Sequence, residues 1–529
     1  MITIKNISYS YQNSELLFDN ISFTINEHDK IALIGHNGIG KSTLLKIISG
    51  TLKLTSGDLY IDSTPYYIPQ IFGQFNHLTI AQVLKIKDKL QALREIIDGN
   101  ITEKNLNILN DDWTIEERCR EALNYWKLDE LNLSQKMESL SGGQRTKVFL
   151  TGIYIHKPDI ILFDEPSNHL DDDGRQLLYD FISKNPASML IVSHDRTLLN
   201  LIDSIYELTK KGVNIYGGNY DFYQKQNQIV TNALNDDIKN KEKTLKKVKE
   251  LNRKTSERKS KLDARGKKKQ ENAGIPKIIM GTLKNNAENS AARLKDTHTK
   301  KIGAISKELI ELKNELPDID KMKFRFDNSS LHRGKILFNA KDINYGYNDK
   351  LLWAKPLTFQ ITSGERIALH GSNGSGKTTL IKIILDELQL KIGSVFRADN
   401  SYVYIDQDYS LIDNNLNIYE QAQKFNYSIL LEHEIKTELD RFLFTRDVWY
   451  KSCGILSGGE KMRLMLCCLS ISNKAPDMIV LDEPTNNLDI QNIEILTAAI
   501  NEYKGSIIVV SHDKYFLEEI NIEITINLE

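Results

Sequence analysis

The chain has 529 residues and a formal net charge of −2, with 26% charged and 40% hydrophobic residues. This length is too great for one hydrophobic core, and the composition is typical of a soluble globular protein with two or more domains. No apolar run approaches the roughly 18 residues of a membrane-spanning helix, the first residues lack the features of a secretion signal, and the four cysteines show neither metal-site nor disulfide spacing. These features favour a cytoplasmic protein.

The first half begins with apolar patterns typical of antiparallel strands, in MITIKNISYSY and FDNISFTIN. The apolar run KIALIG then leads into a glycine-rich turn and a helical pattern. Two later runs, DIILFDE and SMLIVSH, are typical of buried strands. Strands that alternate with helices indicate a mainly parallel α/β sheet.

Four motifs occur twice in the same order, which indicates a duplicated domain. The first reads GHNGIGKSTLLKIISG and then GSNGSGKTTLIKIILD, and the second reads LSGGQRTKVFL and then LSGGEKMRLML. The third reads IILFDEPSNHLD and then MIVLDEPTNNLD, and the fourth reads LIVSHDRTLL and then VVSHDKYFL. We predict domains over residues 1–222 and 324–529, with a linker over 223–323.

The first motif has the pattern of a phosphate-binding loop, in which glycines let backbone N–H groups surround the phosphates at the start of a helix. Lys41 and Lys377 are expected to reach the β- and γ-phosphates, and Ser42 and Thr378 to bind Mg²⁺. The residues predicted to bind ATP here are Gly35, Asn37, Gly38, Gly40, Lys41, Ser42 and Thr43, and in the second half Gly371, Asn373, Gly374, Gly376, Lys377, Thr378 and Thr379.

Carboxylates follow a buried strand in both copies of the third motif. Asp164 and Asp482 are expected to hold Mg²⁺, and the next residues, Glu165 and Glu483, to polarise an attacking water. Repetition of the acidic pair behind four apolar residues argues against an ordinary surface pair. Two further pairs recur: His194 and His512, predicted to contact the γ-phosphate, and Gln70 and Gln407, predicted to contact the metal and the water.

The second motif places a serine and two glycines at the start of a helix, which forms another surface of N–H groups for phosphate. Because each half already has one phosphate loop, we expect this surface to serve the nucleotide of the other half, in a head-to-tail pair. With these motifs both halves resemble ATP-binding cassette proteins. The resemblance implies two composite ATP sites within a monomer, in which the first loop faces Ser457, Gly458, Gly459 and Glu460, and the second faces Ser141, Gly142, Gly143 and Gln144.

The family resemblance also implies an aromatic side chain that stacks on adenine. Tyr11 and Tyr347 match that position, and an ordinary strand tyrosine is the alternative for each. The second signature ends in Glu460 instead of glutamine, which removes no catalytic group. We therefore expect both sites to hydrolyse ATP.

The most basic segment lies between the two halves. Residues 239–301 contain 21 Lys and Arg against 7 Asp and Glu, which favours a polyanionic partner such as nucleic acid over a solvated helical linker. The pattern predicts helices over about 223–265 and 282–316, joined by a tip at about 270–286 that contains Pro276.

A charged helical insert between two cassettes without a membrane domain resembles the ABC-F family, whose soluble members bind ribosomes. The resemblance covers the exit into the linker, YGGNYDFYQKQ, and an insertion at about 78–115 that matches the family's arm, with a routine helical insertion as the alternative. It implies two P-loop cassette domains joined by a basic antiparallel helical hairpin. It also implies contact with ribosomal RNA and P-site tRNA from the tRNA exit site.

Several functional alternatives remain open. The family contains both antibiotic-resistance factors and housekeeping translation factors. A motor for a separate membrane transporter would not need the basic insert, and a DNA-maintenance ATPase usually has much longer coiled coils or zinc motifs.

Overall fold

The computed structural model describes residues 1–11, 16–70, 72–210, 212–272, 296–297, 299–313, 322, 334–347, 350–427, 429–472 and 475–528. It has two compact units, one formed by Met1–Tyr223 with Met322–Glu529 and the other by Gln224–Lys321. Among the described helices, none combines the length and the apolar composition needed to span a lipid bilayer.

The first half is built around a six-stranded sheet of β3 (Lys30–Ile34), β5 (Tyr66–Ile68), β6 (Ile160–Asp164), β7 (Ser188–Val192), β8 (Ser204–Thr209) and β9 (Gly212–Tyr216). The strand order is β5-β6-β7-β3-β8-β9, and every neighbouring pair is parallel except β8 and β9. Because β3, β6 and β7 end at the same edge, the segments that follow them meet there. These segments carry the phosphate loop, Glu165 and His194.

A second, antiparallel sheet consists of β1 (Ile2–Ser10), β2 (Leu16–Ile25) and β4 (Ser56–Ile61), in the order β2-β1-β4. Side chains alternate between the two faces of β3. Ile31 and Leu33 join a core with this sheet, while Ala32 and Ile34 join a core with the helices on the other face. Burial on both faces explains why the central strands are continuously apolar.

The helices of the first half are α1 (Lys41–Ile48), α2 (Ile80–Val83), α3 (Lys87–Ile97), α4 (Glu103–Leu109), α5 (Ile115–Tyr125), α6 (Gly142–His156), α7 (Asp172–Lys184) and α8 (Arg196–Asn200). Short 3-10 turns occur at Gly73–Phe75 and Met137–Ser139. Helices α3 and α4 fall within the insertion predicted at 78–115. Asp112 pairs with Lys89 and Arg118, both at 2.9 Å, and thereby links α3 to α5.

The second half repeats this arrangement with a five-stranded parallel sheet of β14 (Arg366–His370), β16 (Tyr402–Ile405), β17 (Met478–Asp482), β18 (Ser506–Val510) and β19 (Ile524–Asn527), in the order β16-β17-β18-β14-β19. Its antiparallel strands are β10 (Ile336–Asn344), β13 (Leu357–Thr362) and β15 (Ile392–Arg397), and a short hairpin pairs β11 (Gly346–Tyr347) with β12 (Lys350–Leu351). Its helices are Lys377–Ile384, Ile418–Lys424, Glu432–Arg441, Gly458–Ile471, Ile490–Glu502 and Lys514–Glu519, with a 3-10 turn at Cys453–Ile455. The predicted duplication of an α/β cassette is confirmed.

The four thiols pack inside the cassettes. Cys119, Cys453, Cys467 and Cys468 are all buried and free, as expected for packing residues.

The linker contains one long helix, α9 (Tyr220–Asn272), and a helix over 299–313. Lys241 pairs with Glu308, and Lys313 lies 2.6 Å from Glu242, so the two helices pack together. The predicted end at residue 265 is wrong, because α9 continues through Gly266. Lysines and a glutamine follow this glycine and favour helix, which offsets the cost of about 1 kcal/mol for one internal glycine. Most of the predicted tip, 273–286, lies outside the described residues.

Candidate functional site

The phosphate loops have the backbone geometry that their glycines predict. Gly40 adopts φ 107° immediately before α1, and a Cβ there would lie 2.7 Å from the ring of Phe18. Gly376 has the same left-handed conformation, with φ 93°. The turn therefore needs glycine at this position in both copies.

The loop lysines fold back on the loops that carry them. Lys41 Nζ donates to the carbonyl of Gly35 over 2.5 Å, and Lys377 Nζ donates to that of Gly371 over 2.6 Å. Burial lowers the pKa of Lys41, although Glu165 and neighbouring aspartates oppose this shift. Each ammonium group is thus held at the mouth of its loop, where an anion would be a stronger partner than a carbonyl.

An aspartate at the end of each central strand joins the loop to the sheet. Ser42 Oγ donates to Asp164 Oδ1 over 2.9 Å, and the Tyr67 hydroxyl donates to Asp164 Oδ2 over 3.0 Å. In the second half Asp482 Oδ2 accepts from Thr378 Oγ1 at 3.1 Å and from the hydroxyl of Tyr404 at 3.0 Å. Both copies therefore gather the same hydroxyl and carboxylate oxygens.

The next residue in each copy is a glutamate in the left-handed region, buried at Glu165 with φ 53° and partly buried at Glu483 with φ 50°. Burial raises the pKa of both carboxyls, and nearby cations oppose the shift. His194 Nε2 lies 3.3 Å from Glu165 Oε1, and His512 Nε2 lies 3.4 Å from Glu483 Oε1. Burial, with a smaller contribution from Lys41, holds the pKa of His194 well below its usual range.

Each signature serine caps the helix that follows it. Ser141 Oγ accepts from the backbone N–H of Gln144 at 3.2 Å, and Gln144 Oε1 accepts from the backbone N–H of Ser141 at 3.0 Å. Ser457 and Glu460 form the same reciprocal pair, at 3.4 and 2.9 Å. Glu460 therefore takes the place of glutamine without loss of the capping box.

The first site lies between the two halves, in a cavity of about 480 Å³. Asn37 N donates to Asp489 Oδ2 over 2.8 Å, and Asn37 Nδ2 donates to the carbonyl of Asn487 over 3.2 Å. The cavity lining includes, from the first half, Tyr11, Gly38, Gly40, Lys41, Ser42, Thr43, Gln70, Asp164, Glu165 and His194, and from the second half Ser457, Thr485, Asn486, Asn487 and Asp513. The two halves thus contribute opposite walls.

The reciprocal contact occurs at the second site. Asn373 Nδ2 donates to the carbonyl of His169 over 3.2 Å, and the signature residue Gly143 adjoins both. A Cβ at Gly143 would lie 2.7 Å from the carbonyl oxygen of His169, so glycine permits this close approach. The phosphate loop of the second half therefore faces the signature of the first.

Further contacts hold the halves together away from the phosphate loops. Arg196 is 2% exposed, and its guanidinium lies 2.6 Å from Glu519 of the second half. Asn200 Nδ2 donates to the Tyr515 hydroxyl over 2.8 Å. The helices Arg196–Asn200 and Lys514–Glu519 thus contact each other across the interface.

The two predicted adenine-stacking tyrosines sit beside their phosphate loops. The hydroxyl of Tyr11 lies 2.9 Å from Thr43 Oγ1, and that of Tyr347 lies 3.3 Å from Thr379 Oγ1. Both rings are about half exposed, at 51% and 53%. Gln70 lines the first cavity, and Gln407 lies two residues after the end of β16.

Sequence reasoning missed several residues that complete the sites. Tyr67 and Tyr404 each lie three residues before the predicted glutamine of their own copy. Their recurrence at the same position of the repeat could have identified them. The repeat could not have identified Asp172 and His370, because a different residue stands at the equivalent position in the other copy. Asp172 aligns with Ile490, and His370 aligns with Ile34.

Comparison with known proteins agrees with this architecture. The family model described as ABC transporter matches residues 18–168 and 354–486. The chain is 30% identical to the uncharacterized ABC transporter ATP-binding protein YfmM of Bacillus subtilis, over 99% of this chain and 97% of that protein. It is 29% identical to ABC transporter F family member 5 of Arabidopsis thaliana, over 98% of this chain and 74% of that protein.

Among solved structures, the archaeal ribosome recycling factor aABCE1, in complex with the ribosomal stalk protein aP1, matches with a TM-score of 0.60 and 19% identity. That match covers 98% of this chain and 86% of the other, and it supports the shared fold. The chain has two cassettes, in which each phosphate loop faces the signature of the other, and its similarity to these relatives extends along its whole length. This chain belongs to the ABC-F family of ATP-binding cassette ATPases.

Proposed function

We propose that this ATPase binds the ribosome and uses ATP binding and hydrolysis at its two composite sites to associate and dissociate. The observation that carries the proposal is the combination of facing ATP sites with a strongly basic helical linker. The F-family relatives support it, as does the fold shared with a protein named as a ribosome recycling factor. Because ribosomes are the proposed partner, we expect the protein to act in the cytoplasm.

We assign the phosphates to the loops and to the signatures opposite them. Lys41 and Lys377 bind the β- and γ-phosphates of their own loops. The helices that begin after Ser141 and Ser457 present backbone N–H groups to the nucleotide of the other half. Tyr11 and Tyr347 take the adenine rings by stacking, for which their half-exposed rings leave room.

The residues around each aspartate fit a magnesium ion. Mg²⁺ prefers oxygen ligands such as hydroxyls and carboxylates. In each copy the loop hydroxyl, of Ser42 or Thr378, lies within hydrogen-bond distance of the carboxylate of Asp164 or Asp482. When bound, the ion would neutralise charge on the phosphate oxygens. The proposed ligands are Ser42, Gln70 and Asp164 in the first site and Thr378, Gln407 and Asp482 in the second.

We assign hydrolysis to the glutamates that follow these aspartates. Glu165 and Glu483 accept a proton from the attacking water, and their raised pKa values suit a general base that works near neutral pH. His194 and His512 lie beside these carboxylates and contact the γ-phosphate. Loss of that phosphate removes the group that both halves bind, so the halves separate.

Affinity for the ribosome follows from this closure. A ligand shifts an equilibrium only when it binds one state more tightly than the other, and ATP contacts both halves only when they are closed. The closed state is the one that engages the ribosome. Lysine and arginine along the linker neutralise RNA phosphates at the tRNA exit site, and the linker extends towards the P-site tRNA, so binding weakens as salt rises.

Sedimentation of cell extracts tests this function. The variant Glu165→Gln/Glu483→Gln should be trapped in the ATP-bound state and should co-migrate with ribosomes in an ATP-dependent way. A matched variant with Lys246, Lys247 and Lys249 changed to Glu should keep its ATPase activity without ribosomes and lose this co-migration. Trapped protein found free, on membranes or on DNA would contradict the proposal.

The length of α9 favours protection against antibiotics as a second candidate role. Its 53 residues correspond to about 80 Å of helix, enough to reach deep into a large particle. Expression in a sensitive host should then raise tolerance to inhibitors of the peptidyl-transferase region. Unchanged tolerance to all such drugs, with ribosome binding intact, would indicate a housekeeping translation factor.

A further inference from the structure

Asp172 of the first cassette lies between two histidines of the second. Its Oδ2 atom is 2.6 Å from His370 Nε2, and its Oδ1 atom is 3.0 Å from His512 Nδ1. Asp172 is the first residue of α7, directly after the capping residue Asp171. A carboxylate only accepts hydrogen bonds, so each imidazole nitrogen that faces it carries a proton.

The charge state of Asp172 supports this arrangement. Burial alone would raise the pKa of Asp172, but hydrogen bonds and charges from His512 and His370 outweigh burial and hold the pKa below its usual range. Asp172 is therefore ionised near neutral pH. A carboxylate on one nitrogen of an imidazole fixes the ring orientation and keeps a proton on that nitrogen.

The other nitrogen of His512 points into the second site. His512 Nε2 lies 3.4 Å from Glu483 Oε1. This buried atom has no hydrogen-bond partner within the described residues. With a proton of its own, Nε2 donates to an oxygen of the γ-phosphate beside the glutamate, because an unprotonated nitrogen would face that oxygen lone pair to lone pair.

Among the described residues, the first site has no equivalent pair of contacts. In the second cassette Ile490 replaces Asp172, and its side chain packs against the core of the first cassette. In the first cassette Ile34 replaces His370. Within the part of the chain that the structure describes, the buried Nδ1 atom of His194 has no hydrogen-bond partner.

We propose that Asp172 is a positioning residue of the second ATP site, supplied by the opposite cassette, and that it holds His512 in the orientation needed for hydrolysis. This inference rests on the roles proposed above for His512 and Glu483. Because the contact crosses the interface, it exists only while the cassettes are together. Hydrolysis in the second site is thereby tied to closure, whereas the first site lacks this connection.

Single-site backgrounds test the proposal. Asp172→Ile places in the first cassette the residue that the second carries at the same position. In a Glu165→Gln background, where the second site alone turns over, it should lower kcat about 10-fold or more with little change in KM. In a Glu483→Gln background, kcat should stay within about 2-fold. Asp172→Asn keeps the side-chain volume and removes the charge. Its kcat in the Glu165→Gln background should therefore fall between the value with Asp172 intact and the value with Asp172→Ile.

Two turnover results would overturn the inference. One is an equal loss in both backgrounds, which would indicate a general contribution to the interface. The other is no loss in the Glu165→Gln background. If the double variant Glu165→Gln/Glu483→Gln still hydrolyses ATP at the wild-type rate, the proposed roles of the glutamates fail instead.

Nuclear magnetic resonance of histidine side chains gives a readout that does not depend on turnover. The resonances of His512, assigned with His512→Gln, should report a protonated Nδ1 in the wild-type protein and should shift in Asp172→Ile. The resonances of His194 should not shift, because Asp172 does not contact it. Unchanged His512 resonances in Asp172→Ile would overturn the proposal whatever the kinetics show.

Discussion

The two ATP sites come from the same repeated segments, yet they differ where one cassette contacts the other. Both sites share one contact, in which the side chain of the loop asparagine donates to a backbone carbonyl of the other cassette over 3.2 Å: Asn37 to Asn487 and Asn373 to His169. The second site alone has Asp172 between two histidines. The residues that face the phosphates thus match in both copies, and the contacts between the cassettes differ at Asp172 and His370, which depart from the repeat.

The largest difference between sites should follow removal of a loop lysine. Lys41→Ala should lower ATP affinity at the first site, and Lys377→Ala at the second, each by about 10- to 100-fold, since a hydrogen bond to a charged group contributes about 1.5–3 kcal/mol. Binding of a fluorescent ATP analogue would then resolve one tight and one weak site in each variant. Two equal sites in either variant would contradict the assignment.

The interface itself should be most sensitive at Arg196. This side chain is buried against a partly exposed Glu519, so Arg196→Met should lower the free energy of unfolding by about 2 kcal/mol. Lys514 occupies the equivalent position in the second cassette and is exposed, so Lys514→Met is the matched control with little expected effect. Denaturant unfolding monitors both variants, and equal losses would show that burial of Arg196 is not what matters.

Stability should depend on pH through Glu165. Burial raises the pKa of this carboxyl to about 8, so the folded state holds a proton that the unfolded state releases above its ordinary pKa. Stability is therefore lost as pH rises between those two values. Without nucleotide, Glu165→Gln should raise the melting temperature more at about pH 8 than at about pH 5. A constant difference would contradict the shifted pKa.

The smallest effect is expected where the signatures differ. Glu460→Gln and Gln144→Glu each exchange one capping side chain for another that completes the same pair of hydrogen bonds. Turnover should change by less than about 2-fold in either variant. A large loss in steady-state ATPase activity would mean that residue 460 contacts nucleotide and does not merely cap its helix.

Much of the fold and of the site was predictable because the chain repeats itself. In both copies a phosphate loop follows one strand and an Asp-Glu pair follows another. This recurrence predicted that Lys41 and Asp164 lie at the same edge of the sheet. The recurring signature predicted that each site needs both cassettes, and the cavity beside Ser457 agrees with that prediction.

The remaining features depend on contacts that a repeat cannot show. Asp172 and His370 are 198 positions apart and depart from the repeated pattern, so only the packing of the two cassettes brings them together. Arg196 looks like an ordinary surface residue until Glu519 and Tyr220 are seen beside it. The first linker helix was predicted to end at about residue 265, but the helix propensity of the lysines after Gly266 carries α9 to Asn272.

Photoaffinity labelling with 8-azido-ATP, followed by identification of the labelled cassette, tests most directly the central claim that each ATP site uses both cassettes. Ser457→Arg places a bulky cation at the signature of the second cassette, and it should abolish labelling of the first cassette while the second is still labelled. Ser141→Arg should produce the reverse. Loss of labelling on the cassette that carries the substitution would contradict the account.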